Sequence, residues 1–265
     1  MVDKETLCYA HLTDLHLRSS DDIVFLEELM QYFDEQSDKY AFLICSGDLT
    51  DTPDLRLLQA IKSIFDQAKL PVHVIPGNHD IWEDESPTIY EFETIFGTSN
   101  YVINKNGVQL LCLNSVGFPQ DVQELFPYYE QAIEQNISFH NACFTQQTMD
   151  QFERLVKDLD PTLPLIVISH HAWSGGHNDW VLKQATLNAQ ALDKLFEHYN
   201  LIGVFNGHAH STLQYYYQGV QHWCLPRLSP FKHNNDGSPM GYAEISCSDQ
   251  KLQCKINQRH IQGAQ

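Results

Sequence analysis

The sequence predicts an α/β fold in which two β-sheets pack face to face between helices, and three observations point to it. Five short apolar runs, Leu7–Leu12, Ala41–Cys45, Val72–Ile75, Leu165–Ile168 and Leu201–Phe205, have strand length, and each ends in a polar cluster. Stretches with helical spacing separate the runs early in the chain, the alternation expected of a sheet with parallel pairs and right-handed crossovers. Beyond Phe205 come short strands separated by Gly, Pro, Asn and Asp, which suits antiparallel pairing. At 265 residues the chain can build one well-buried domain, and a single domain over 1–265 is expected.

The first unit begins with the strand Leu7–Leu12. After it, Asp21-Asp22 precedes Ile23, Phe25, Leu26, Leu29, Met30 and Phe33, which share one helical face behind an acidic first turn. The second unit joins Ala41–Cys45 to a helix from Pro53 to Ala68, with Leu55, Leu58, Ile61, Ile64 and Phe65 on its buried side. The third joins Val72–Ile75 to a helix near Pro87–Phe96. Tyr101–Asn104 and Val108–Asn114 flank Lys105-Asn106-Gly107 and read as a hairpin about an Asn-Gly turn. Residues 117–143 exceed the usual connection length and are expected to be an insertion. With Phe118, Phe126, Tyr128, Tyr129 and Phe139 it suits a lid, a base-stacking surface, a homodimer contact or an ordinary packed segment. Met149, Phe152, Leu155, Val156 and Leu159 continue a helix from Thr145 that Pro161 and Pro164 stop. Thr186–Tyr199 is helical by period. Leu213–Tyr217, Val220–Leu225, Gly241–Cys247 and Leu252–Ile256 are the strands expected in the tail.

Lys+Arg 16 against Asp+Glu 34 gives a net charge of −18, which argues against wrapping long nucleic acid or lying on an anionic membrane. No apolar stretch reaches the length of a membrane span, and residues 1–17 lack the apolar centre of a signal peptide. The seven cysteines are odd in number and have no disulfide spacing. The expected compartment is the cytoplasm.

The functional signal lies at the strand ends, where α/β sheets bind ligands. Leu7–Leu12 runs into Thr13-Asp14-Leu15-His16, Ala41–Cys45 into Ser46-Gly47-Asp48, and Val72–Ile75 into Pro76-Gly77-Asn78-His79-Asp80. Leu165–Ile168 runs into Ser169-His170-His171, and Leu201–Phe205 into Asn206-Gly207-His208-Ala209-His210. In an extended segment residues i and i+2 point the same way, so Asp14 with His16, and His208 with His210, can each converge on one ion. A carboxylate at Asp48 can bridge two ions through its two oxygens. Imidazole and oxygen donors without thiolate suit Mn, Fe or Zn and argue against Ca or Mg.

In this order the five blocks resemble the calcineurin-like metallophosphoesterase superfamily, from Leu7 to about Ile245. The resemblance implies a four-layer αββα sandwich of two mixed sheets. It further implies two divalent or mixed-valence ions, one held by Asp14, His16, Asp48 and His210, the other by Asp48, Asn78, His170 and His208. Such a pair lowers the pKa of a shared water and polarises the phosphoryl oxygens for in-line attack. By the same resemblance His79 is not a ligand but the acid for the leaving alkoxide, with the Asp51 carboxylate paired to it. Asn78, His79 and His171 are expected at the substrate, with plain packing as the alternative for His171. Asp80 is expected to stabilise its turn.

Within the superfamily, Thr13-Asp14-Leu15-His16-Leu17, Gly47-Asp48-Leu49-Thr50-Asp51 and Leu187-Asn188 look like the bacterial class III cyclic-nucleotide phosphodiesterase and glycerophosphodiesterase group. The Asp-Arg-Gly of the protein phosphatase branch is absent after Asp48. Departures from the group are the 117–143 insertion and Asn114-Ser115 for Asp-Ser, and the chain departs from the wider family in having Ala172 at the proline of His-x-Pro. The expected function is therefore a phosphodiesterase for a small diester such as a 3′,5′-cyclic nucleotide. The alternatives are a phosphomonoesterase or nucleotide pyrophosphatase, and a scaffold that does no chemistry. His11, His73, His198, His222 and His260 read as structural or exposed. Packing is expected of Trp173, His177 and Trp180. Arg227 and Lys232 read as exposed bases, with phosphate contact as the alternative.

Overall fold

A computed structural model describes residues 6–83, 85–117, 143–174, 176–183, 185–186, 189–231, 237 and 239–258. The first sheet contains parallel β1 (Leu7–Leu12), β2 (Leu43–Cys45) and β3 (Val72–Val74). To β1 are added antiparallel β10 (Gly241–Ser248) and then β11 (Lys251–Gln258), for the order β11-β10-β1-β2-β3. The second contains β4 (Tyr101–Lys105), β5 (Val108–Leu113), β6 (Leu165–Ser169), β7 (Leu201–Asn206), β8 (Leu213–Tyr217) and β9 (Val220–Cys224), in the order β4-β5-β6-β7-β9-β8. Helices α1 (Ile23–Asp34), α2 (Leu55–Phe65) and α3 (Ile89–Phe96) share a core with the outer face of the first sheet. Helices α4 (Gln146–Val156) and α6 (Gln190–Phe196) cover the second, and α5 (Asp179–Lys183) is a short helix between them in the chain. The fold is thus the expected one, two mixed sheets flanked by helices.

Alternation along β1 shows how the sequence divides its apolar residues. Leu7 and Tyr9 enter the core between the sheets with Ile44, Ile168, Phe205 and Ile245, while Ala10 and Leu12 face the helices. Phe205 stacks on Trp223 at 4.5 Å in that inter-sheet core. Each fully buried Leu or Phe contributes roughly 1.5–3 kcal/mol. His11 falls on the same inward side, 6.0 Å from Phe205, and burial pushes its ring down to about 3, so it stays neutral.

Local chemistry sets the element ends. Asp54 caps α2 by accepting from the N–H groups of Arg56 and Leu57, so the helix begins after Pro53 and Leu57, not Leu55, is buried. Thr88 and Glu91 form a capping box at α3. Asn106 and Gly107 both have positive φ, and Lys105 pairs with Val108, which makes the expected two-residue hairpin turn.

One expectation about the second half is corrected. The helix expected over Thr186–Tyr199 begins only at Gln190, because the Thr186 N–H is drawn to the Ala172 carbonyl at 2.8 Å and Ala189 offers no capping oxygen. The tail strands pair antiparallel as expected, β8 with β9 and β10 with β11, and divide between the two sheets. The β8–β9 hairpin brings β9 back parallel to β7, whereas β10 and β11 cross to the first sheet. The expected insertion lies outside the described residues except for Gly117 and Cys143, which lie against each other. No helix among the described residues is long and apolar enough to cross a membrane. None of the seven cysteines forms a disulfide.

Candidate metal centre

The polar ends of β1, β2, β3, β6 and β7 are laced together by their backbones. Asp14 N–H donates to the Gly47 carbonyl at 3.0 Å, and His16 N–H to that of Asp48 at 2.9 Å. Gly207 N–H donates to the His170 carbonyl at 3.0 Å, and His208 N–H reaches both Asp14 oxygens at 3.1 Å. The expected i, i+2 convergence occurs, but not by strand alternation. Asp14, His16, Asp48, His208 and His210 all have φ between 47° and 62°, the left-handed region that non-glycine residues avoid. Sharp turns after the strands, not the strands themselves, aim these side chains. Strain concentrated on functional groups in this way is typical of a built site.

Glycine lets the turns interlock. A Cβ on Gly77 would lie 2.2 Å from Asp48 Oδ1, and one on Gly207 would lie 2.0 Å from Thr13 Oγ1 and 2.4 Å from Asp14 Oδ2. Thr13, not singled out in the sequence, donates its hydroxyl to Asp14 Oδ2 at 2.7 Å. Its position beside the acid was the available signal.

All seven expected ligands gather here. Asp14, His16, Asp48 and His210 place ligand atoms within 4.8 Å of one another, and His170 and His208 form a second such group that includes His171. Asp48 belongs to both sides, with Oδ2 3.5 Å from His16 Nε2 and Oδ1 3.3 Å from His170 Nε2. Asn78 joins the second group, its Oδ1 3.2 Å from His170 Nε2.

The donor set fits metal ions. His170 Nδ1 faces the Ser46 carbonyl at 2.8 Å and must donate to it, which directs Nε2 at two oxygens that only accept. Such a nitrogen meets those oxygens only through a proton or a cation. His16 Nε2 and His210 Nε2 approach to 2.9 Å, a distance at which one ring can donate N–H to the other and from which both nitrogens can turn to one ion. His16 Nδ1 lies 3.3 Å from the Asp51 carboxylate, the support that commonly orients a ligating imidazole.

The charges agree. Burial opposes ionising Asp14 and Asp48, yet His210 beside the first and His170 beside the second hold both carboxyls well below the usual range. Burial likewise opposes charging His170, but Asp48 outweighs it and pushes the ring up to about 9. His208 is held neutral by burial and by His170. The site keeps two ionised carboxylates in a dry place, ready for cations.

His79 is placed beside His16, ring centroids 4.9 Å apart. Its hydrogen bond to Asp51 differs from expectation: Nδ1 faces the main-chain carbonyl at 2.7 Å, while the Asp51 carboxylate approaches His16. The acid instead belongs to a cluster with His16 and His79 whose ligand-capable atoms lie within 4.8 Å. Asp80 holds its turn as expected, accepting from Gly77 N–H at 2.9 Å and Thr50 N–H at 3.0 Å. Burial and then Asp48 push its carboxyl up to about 7.

Arg227 is not the exposed base expected. It is 1% exposed, and the next two residues donate main-chain N–H groups to the carbonyls of Thr13 and Asp14. Burial lowers its guanidinium to about 10 against the attraction of Asp14 and Asp51. Trp173 packs flat on Phe196 at 5.6 Å, whereas His177 and His198 are exposed and His73 is half-buried. His222 is buried, and burial takes its ring down to about 4. Leu187, Asn188, Lys232 and His260 lie outside the described residues, as does the side chain of Trp180.

A family model described as calcineurin-like phosphoesterase matches residues 9–212, the span that carries all of these ligands. The chain belongs to this family. Calcineurin-like phosphoesterases are dimetal enzymes, and the Asp and His clusters required of one are present here. No curated protein matches the sequence. Among solved structures, a dimetal phosphatase from Danio rerio is similar with a TM-score of 0.67 at 11% identity, over 94% of this chain and 95% of that one. GAP50, the anchor in the inner membrane complex of Plasmodium, gives 0.58 at 12% identity over 95% and 84%. The phosphopantetheinyl hydrolase of Mycobacterium tuberculosis gives 0.54 at 15% over 84% and 89%. At these identities the likeness is one of fold.

Proposed function

We propose that this calcineurin-like phosphoesterase is a phosphodiesterase for a small diester, with 3′,5′-cyclic nucleotides as the substrate class its motifs favour. The observation that supports a two-ion centre most directly is Asp48, whose two oxygens face separate donor groups. Asp14, His16, Asp48 and His210 would hold one ion, and Asp48, Asn78, His170 and His208 the other, as Mn, Fe or Zn. Bound there, the pair supplies Lewis-acid polarisation of the phosphoryl oxygens and an acidified water. The remaining work falls to the chain.

His79 is the residue for proton delivery. With Nδ1–H donated to the Asp51 carbonyl, Nε2 is left as the position from which a proton passes to the leaving alkoxide. Asn78 and His79 bind the phosphoryl group beside the centre, and Asp51 acts as a positioning residue for both His16 and His79. The chain works as one domain in the cytoplasm, and the 117–143 segment tunes the substrate.

A second reading is favoured by Arg227. A guanidinium buried beside Asp14 and Asp51 suits a more highly charged phosphoryl group, as in a monoester or a nucleotide pyrophosphate. The test uses protein stripped of metal and restored separately with Mn, Fe or Zn. It compares hydrolysis of bis(p-nitrophenyl) phosphate with that of p-nitrophenyl phosphate, with His79→Ala as control. Metal-dependent diester preference is expected, and monoester preference would transfer the assignment to the second reading.

A further inference from the structure

His171 lies among the imidazoles of the second donor group, its ring centroid 4.3 Å from that of His208 and 4.9 Å from that of His170. The three rings have ligand-capable nitrogens within 4.8 Å of one another. A third imidazole on the second ion would be ordinary coordination chemistry for zinc. Hydrogen-bond accounting at Ser115 argues against it.

Ser115 is fully buried just beyond β5. A hydroxyl brings one hydrogen and two lone pairs. The His171 main-chain N–H donates to Ser115 Oγ at 2.9 Å and takes one lone pair. The same oxygen lies 3.0 Å from His171 Nδ1. Ser115 has no other polar contact among the described residues. If Nδ1 carried a hydrogen toward Oγ, the hydroxyl hydrogen would be buried with no acceptor, a costly arrangement. The hydroxyl hydrogen therefore points at Nδ1, which must accept it.

We propose that Ser115 locks His171 in its Nε2–H tautomer and so withholds this ring from the second ion. Nε2 then carries a hydrogen and has no lone pair to give a metal. From this cluster only His170 and His208 remain as ligands, and His171 faces them as a hydrogen-bond donor. Ser115, which touches neither ligand set, is a positioning residue that sets the number of imidazoles at the second ion and with it the balance between zinc and the harder Mn and Fe. The metal part of this inference rests on the two-ion reading above, whereas the tautomer does not.

The tautomer is read directly by long-range ¹H–¹⁵N correlation on full-length, metal-free protein carrying ¹⁵N-histidine, with His171→Gln to assign the ring. The expected pattern has Nδ1 bare and Nε2 protonated. It persists in Ser115→Thr, which keeps the hydroxyl, and shifts toward Nδ1–H in Ser115→Ala. Zinc titration of the same proteins gives the second readout. His171→Gln keeps both sites with less than about tenfold weakening, whereas removing a true ligand costs more than about a hundredfold. Ser115→Ala binds the second zinc at least about tenfold more tightly, and Ser115→Ala combined with His171→Gln loses that gain. An Nδ1–H pattern in the unsubstituted protein, or loss of a zinc site in His171→Gln, overturns the proposal. If the unsubstituted protein binds fewer than two ions while the Nε2–H pattern holds, the two-ion reading fails and the lock stands.

Discussion

The two sheets bring unequal chemistry to the site. The first supplies both carboxylates and the amide, Asp14, Asp48 and Asn78, together with His16; the second supplies imidazoles only, His170, His208 and His210. Each wall is also tied down by the other. Asp14 accepts the main-chain N–H of His208 across the gap, and His170 donates Nδ1–H to the carbonyl of Ser46. The difference teaches that the carboxylates meet all the imidazoles but His16 only when the sheets pack. The inter-sheet core of Ile44, Ile75, Ile168 and Phe205 is thus a condition for metal binding as well as for stability.

Asp48 turns one oxygen to each donor group, so removing it should do most damage. Asp48→Ala is expected to lose tight binding of both ions and all turnover, seen by metal analysis and a phosphoester assay. A variant retaining full biological activity would revive the scaffold alternative. Next in size is Gly207→Ala, which drives a methyl into Thr13 and Asp14 where the walls touch. It should cost about 1–3 kcal/mol of stability by overpacking and weaken metal binding, measured by thermal melts and titration. His79→Ala should separate chemistry from assembly. Turnover should fall about 10²- to 10⁴-fold while the ion count is unchanged.

The mildest probe is pH. Burial holds His11, between the sheets, at about 3 and His222 at about 4, against 6.5 for the unfolded ring. As pH falls below 6.5 the unfolded chain takes up protons that the folded chain refuses, so stability declines through the window down to about pH 3. Denaturant melts of metal-free protein should show this slope, and His11→Leu should flatten it. A flat profile in the unsubstituted chain would show that these rings are not buried neutral.

Much of this was legible in the sequence because periodicity reports burial. The first strand and the buried face of α1 follow from it, and the five strand-end blocks name the seven residues that gather at the candidate centre. Less legible was whatever depends on contacts between distant segments. The left-handed turns at Asp14 and Asp48 arise where neighbouring strand ends hydrogen-bond, and residues of their type do not announce positive φ. Asp51 was expected to serve His79 with its carboxylate, but three-dimensional placement turns that group to His16. Arg227 looked like a surface base because nothing local signals that its neighbours bond to the β1 turn. The Thr186 region kept a helical period while a tertiary hydrogen bond to Ala172 overrode it.

The most direct test of the central claim is a calorimetric titration of metal-free protein with Mn, run beside a bis(p-nitrophenyl) phosphate assay at each ion ratio. Two ions per chain, with hydrolysis rising as the second binds, is the predicted result. Saturation at one ion with full turnover, or two bound ions with no phosphoester hydrolysis under any metal, would contradict it.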